Sequence, residues 1–149
     1  MPAAHALVQA SEDLERAATD LTAEQLRTRP GGAASAAFHL VHIAGSIDRL
    51  LTYARGEGLS ETQRAAAAAE PGLAEVARDA AALIARALAA IEIALAQVRA
   101  TSAESLLEPR AVGRARLPST VLGLLFHVAE HTQRHVGQLI ATAKAVRGQ

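Results

Sequence analysis

The chain contains no cysteine and no tryptophan, and its only aromatics are Phe38, Tyr53 and Phe126. Without cysteine there are no disulfides, no thiolate zinc sites and no cysteine nucleophile. Alanine dominates a hydrophobic fraction of 50%, so the core must be built from small side chains, which suits closely packed helices. Period-two runs of β-branched residues are missing too, and no strand is expected anywhere. Neither sign of charge is in excess, with 15 Lys and Arg against 15 Asp and Glu. Nucleic-acid binding usually leaves a basic footprint. Here only one short arginine-rich loop (Arg110, Arg114, Arg116) departs from balance, so no nucleic-acid partner is expected. The N-terminal MPAAHALVQASEDLERAA meets Glu12, Asp13 and Glu15 too early for a secretory signal. Arg86, Glu92 or His127 interrupts the longest apolar stretches, so no membrane span is expected. A soluble cytoplasmic protein is the resulting expectation.

At 149 residues the chain suits a single domain, 1–149, with a sizeable core. The apolar stripe Ala6, Leu7, Leu14, Ala17, Ala18 and Leu21 predicts a first helix over about 3–20. Thr22 and Gln25 offer a capping pattern for one short turn, and RPGG at 29–32 then breaks the chain. A second helix is predicted from near Ser35 to Gly56 or Gly58, along Leu40, Ile43, Ala44, Ile47, Leu50, Leu51 and Ala54. Ser60 and Gln63 open a short helix that should stop at Pro71. The third long helix is predicted over Leu73 to Ala100, with Leu73, Val76, Ala80, Leu83, Ala87, Ile91, Ala94 and Val98 as its seam. Pro109, Gly113 and Pro118 break the connector at 101–118, and Ser119 is the expected N-cap of a last helix over about 120–146. The expected fold is all-α, a four-helix bundle with short connector helices and at least one crossover.

The chain has six histidines, and three of them, His127, His131 and His135, stand four residues apart on the last helix. They drift by roughly 80° around its axis, so they share one face beside Leu124, Val128 and Leu139. Two histidines at i and i+4 can converge on one metal ion, as in H-E-x-x-H zinc sites. Here Thr132 follows His131, so the general-base glutamate of those proteases is absent. A further ligand would come from FHLVHIAG on the second helix, which offers His39 and His42. Periodicity slightly favours His39, nearer the centre of the stripe, with His42 at its edge. Three nitrogen ligands leave coordination positions open, the pattern of a catalytic metal site. All-imidazole ligation suits zinc, nickel, iron or copper. Ordinary packing of hydrogen-bonded histidines is the alternative.

Three stretches carry a family likeness: residues 21–60 with their His42-Ile43-Ala44 core, the LP…LL…H run into the last helix, and HTQRHVGQ, an H-x-x-x-H-x-G-Q element. The sequence resembles the DinB/YfiT-like superfamily of metal-dependent four-helix-bundle proteins. The resemblance implies an up-down-down-up bundle and a divalent metal held by His42, His131 and His135. It leaves His39 as a partner or substitute ligand. His127 would line the approach to the ion or belong to the core, and Gln138 would orient a histidine. It also implies relatives that are thiol-dependent transferases and isomerases using thiols such as bacillithiol or mycothiol, and often dimers.

The function expected is a metal-dependent enzyme that activates a low-molecular-weight thiol or water, a thiol S-transferase or hydrolase acting on a small molecule. Arg110, Arg114 and Arg116 would recognise an anionic group on the substrate. A non-catalytic metal-binding protein, or a structural homodimer joined through Leu122, Phe126 and Ile140, is the alternative. Asp48, Glu57 and Glu130, the carboxylates nearest the histidines in sequence, are expected on solvated surfaces.

Overall fold

The computed structural model describes residues 1–148. Six helices and a hairpin follow in order: α1 (Pro2–Ala18), α2 (Ala23–Arg27), α3 (Ala36–Ala54), α4 (Glu61–Glu75), α5 (Ala80–Ala100), β1 (Pro109–Val112), β2 (Leu117–Thr120) and α6 (Val121–Arg147). Local chemistry sets most of the boundaries. Thr22 and Ser60 close capping boxes with Gln25 and Gln63, and Ser35, Asp79 and Thr120 each cap the next helix through a side-chain oxygen. Gly148, left-handed at φ 74°, ends α6.

The four long helices pack around a core in the circular order α1, α6, α3, α5. Their directions follow from bonds that cross between them. Gln133 donates to the Ala6 carbonyl (2.9 Å) and Arg147 to that of Thr19 (2.6 Å), so α6 runs parallel to α1. His39 meets His135 and His42 meets His131, so α3 is antiparallel to α6. Arg27, just before α3, bonds the Ala77 carbonyl just before α5, while Gln97 bonds that of Leu51 at the far end, so α3 and α5 run parallel. The topology is up-down-down-up. A parallel pair joined in sequence needs a return path, and α4 provides it along the outside of α3. Gln63 donates to Asp48 and Thr52 near the end of α3, and Glu70 reaches back to His42 and Arg49. Leu7, Leu14, Leu40, Ile43, Ile47, Leu51, Ile91, Leu95, Leu125 and Leu139 fill the centre, each almost fully buried. Alanines such as Ala10, Ala18, Ala87 and Ala94 lie between them, where the helices come close.

Four expectations need correction. The short helix does not stop at Pro71: α4 runs through it to Glu75, and α5 starts at Ala80 rather than Leu73. Leu73 and Val76, which extend the apolar spacing of α5 on paper, are 45% and 69% exposed. The expectation of no strand also fails, because the second long connection is an antiparallel hairpin pairing Pro109 with Thr120 and Val112 with Leu117. Both strands are edges, so Pro109 and Pro118 cost it little. The cap of α6 is Thr120, one residue beyond Ser119. Among the described residues one helix, α5, is long and apolar enough by composition to cross a membrane. In the bundle it buries Ala87, Ile91, Ala94, Leu95 and Val98 against its neighbours.

Candidate metal centre

Antiparallel packing of α3 on α6 places the turn carrying His42 opposite the turn carrying His131. Nε2 of His42 lies 3.0 Å from Nε2 of His131. His135, one turn further along α6, brings its ring centroid to 4.4 Å from that of His42 and 4.6 Å from that of His131. One ring nitrogen from each of His42, His131 and His135 lies within 4.8 Å of the others, a grouping that could hold a metal ion.

The three rings differ in what their other nitrogen meets. His42 contacts Glu70 Oε2 through Nδ1 (2.7 Å), and Glu70 Oε1 accepts from Arg49 (2.5 Å). Burial alone would raise the pKa of Glu70, but hydrogen bonds from His42 and Arg49, with their charges, outweigh it and hold the carboxyl below its usual range. An ionised carboxylate only accepts, so the proton of this contact sits on His42 Nδ1. Phe38 stacks on the face of the same ring, 5.4 Å away and 9° from parallel. His135 meets His39 through Nδ1 at 3.1 Å. Nδ1 of His131 is buried with no partner.

Burial first, and the positive potential of His42 second, lower His39 and His131 to about 4 each. The same two causes, joined by His131, His39 and Arg134, lower His135 to about 3. These rings are neutral at neutral pH, the form in which imidazole ligates a metal. The donor set fits a transition ion: nitrogen ligands, one of them anchored by a carboxylate as metal-bound histidines commonly are.

Of the other sequence candidates, His39 is buried (4% exposed) with its Nδ1 against that of His135, and it is not one of the three-nitrogen group. His127 is half-exposed, its ring 5.4 Å from that of His131 and its Nδ1 3.2 Å from Glu130. Gln138 is exposed on α6 and, among the described residues, bonds none of the histidines. Arg110 spends its guanidinium on the carbonyls of Ala54 (2.8 Å) and Pro109 and on Glu108. Ala54 is twelve residues beyond His42 on α3, roughly 18 Å along the helix. Arg110 and Arg116 line a separate cleft of about 480 Å³ with Tyr53 and Glu57, and Arg114 is exposed at the hairpin turn. Glu70 is the site residue that sequence reasoning missed. Its signal was an acid closing a run of alanines, RAAAAAEPG, four residues before Ala74, which is buried on the same face.

A sequence profile of the DinB superfamily matches residues 6–139. The chain belongs to the DinB superfamily. This DinB-superfamily chain is also similar in structure to YfiT from Bacillus subtilis, with a TM-score of 0.75, 16% identity, and coverage of 99% of this chain and 86% of YfiT. YfiT is described as a probable metal-dependent hydrolase with an unusual four-helix bundle topology. At that identity the likeness speaks for the fold alone, a four-helix bundle. No curated protein sequence matches the chain.

Proposed function

We propose that this DinB-superfamily protein is a metal-dependent enzyme. In this reading His42, His131 and His135 hold one divalent transition ion, zinc, nickel or iron, beside the binding place of a small molecule. The observation that carries it is the convergence of three ring nitrogens within 4.8 Å of one another, from helices far apart in sequence. Three protein ligands leave coordination positions open for water or substrate. An ion held there supplies Lewis acidity, lowering the pKa of a water or a thiol. The chain's own residues do the rest. Glu70 and Phe38 fix the His42 ring, and half-exposed His127 lines the approach, oriented by Glu130, which Arg134 clamps through both oxygens.

The description of YfiT as a hydrolase supports water as the activated group, acting on a hydrolysable small molecule. A low-molecular-weight thiol attacking a small electrophile is the other form of the same chemistry. Anion recognition by Arg116 belongs, in this reading, to a part of the substrate remote from the ion, since Arg110 is already engaged. A cytoplasmic location completes the proposal. So does a homodimer joined along the exposed edge of α6, where Leu122 is 41% and Phe126 63% exposed.

Elemental analysis of tag-free protein tests the metal. Wild type and His127→Ala are expected to carry a single equivalent of transition metal, and His131→Ala none. A wild type that arrives metal-free and takes up neither zinc, nickel nor iron would sink the reading. Turnover of electrophiles and hydrolysable esters or amides, with and without a panel of biological thiols, then separates enzyme from storage module and thiol from water.

A further inference from the structure

The crossover helix α4 lays an alanine-rich length along the bundle but buries one acid, Glu70, whose side chain is 8% exposed. Both of its oxygens are engaged, Oε2 by His42 and Oε1 by Arg49. The contact lies on the Nδ1 edge of His42, whereas Nε2 faces His131, so Glu70 stands behind the ring and is not itself a ligand. Space for it is made on α3 by Gly45: a Cβ there would collide with Glu70 Oε1 and come within 2.9 Å of the Arg49 guanidinium. Phe38 stacked on the ring face closes another direction of movement. His42 is thus the one ring of the three with a carboxylate behind it, for His135 meets another histidine and His131 Nδ1 meets nothing.

Resting on the metal-centre reading above, we propose that Glu70 is a positioning residue: held by Arg49 in the space left by Gly45, it locks His42 as the Nδ1–H tautomer with the Nε2 lone pair turned into the three-histidine cluster. The lock works in two ways. It removes the rival tautomer, in which Nε2 would carry hydrogen and could not ligate. It also places negative charge behind the ring, which strengthens Nε2 as a donor. The topology gains a purpose by this route, because the return helix of the crossover carries the group that readies the α3 ligand. If the Glu70–Arg49 pair instead served only to fasten α4 to α3, cutting it at either residue would have the same effect on stability and none on His42.

The experiment combines zinc affinity by chelator competition with the ring-nitrogen ¹⁵N spectrum of His42 in zinc-free protein, for wild type, Glu70→Ala, Glu70→Gln and Arg49→Ala. Wild-type His42 is expected to be protonated at Nδ1. Glu70→Ala should shift His42 towards the Nε2–H form and weaken zinc binding by about 10–100-fold. Glu70→Gln, which keeps an acceptor and the volume, should fall between the two and serves if the alanine variant fails to fold. Arg49→Ala should lose less zinc affinity than Glu70→Ala. The proposal is overturned if wild-type His42 is protonated at Nε2 alone. It is equally overturned if both Glu70 variants keep the wild-type tautomer and bind zinc as wild type does. Failure of wild type and His131→Ala alike to bind zinc would overturn the metal reading and Glu70's part in it, while the spectrum still decides whether Glu70 sets the tautomer.

Discussion

The Nε2 atoms of His42 and His131 stand 3.0 Å apart across 89 residues of sequence. In the proposed neutral Nδ1–H form of His42, the hydrogen of this contact comes from His131, which leaves His131 Nδ1 as a bare, buried acceptor. The orphaned atom and the close Nε2 pair are therefore two sides of one proton arrangement. For His42 and His131 both to hold an ion through Nε2, that proton would have to leave Nε2 of His131.

The stability of metal-free protein should depend on pH in a direction the histidines fix. His39 and His131 sit near 4 and His135 near 3 when folded, against 6.5 ordinarily. Below about pH 6.5 the unfolded chain binds protons that the folded chain refuses, so stability falls with acid until the folded pKa values are reached, and it is flat above about 7. Glu70, lowered when folded, adds a loss in the same direction below its usual range. Melting of apo protein at pH 7.5 and pH 5 should show a lower Tm in acid. An equal or higher Tm at pH 5 would contradict the burial of neutral rings.

His39→Ala removes a buried ring and its contact with His135 while leaving the three-nitrogen cluster intact. We expect a stability loss of about 1–3 kcal/mol in denaturant titrations. Zinc affinity should drop less than in His131→Ala. A His39→Ala protein that binds no zinc would make His39 a ligand after all.

Two glycines in helices should respond oppositely to alanine. At Gly45 the added Cβ collides with Glu70, and the forced shift should destabilise by about 1–3 kcal/mol. At Gly72 nothing lies within 4 Å, so the substitution should be neutral or stabilise by up to ~1 kcal/mol through helix propensity. Thermal melts of the two variants beside wild type make the comparison.

Arg110→Ala should lower stability by about 1–2 kcal/mol, because Ala54 at the end of α3 loses its guanidinium partner. Zinc affinity should be unchanged, as the hairpin lies roughly 18 Å along α3 from His42. An equal loss of zinc binding would instead tie the hairpin to the metal centre.

The bundle was legible because its long helices carry their burial pattern in the three-four spacing, and because caps such as Ser35 and Ser60 sit where the helices begin. The start of α5 was misread because Leu73 and Val76 continue its period while belonging to the exposed end of α4. The hairpin was invisible because its strands are four residues each and carry proline and arginine in place of alternating apolar residues. Of the site, the pair on α6 could be read from spacing alone. The choice between His39 and His42 could not, since both side chains reach α6 and only the tertiary packing decides which faces His131. Glu70 depends on the placement of a crossover helix that local sequence does not determine.

That crossover helix packs chiefly on α3 and turns Ala65, Ala66, Ala68 and Ala69 to solvent. An element fastened along one side only, with few large side chains to bury, is the first to open in local fluctuations. Backbone amides of residues 61–75 should therefore exchange with solvent deuterium sooner than those in the middle of α3 or α6. Each opening would carry Glu70 away from His42, so the hold on that ring would be renewed each time the helix closes.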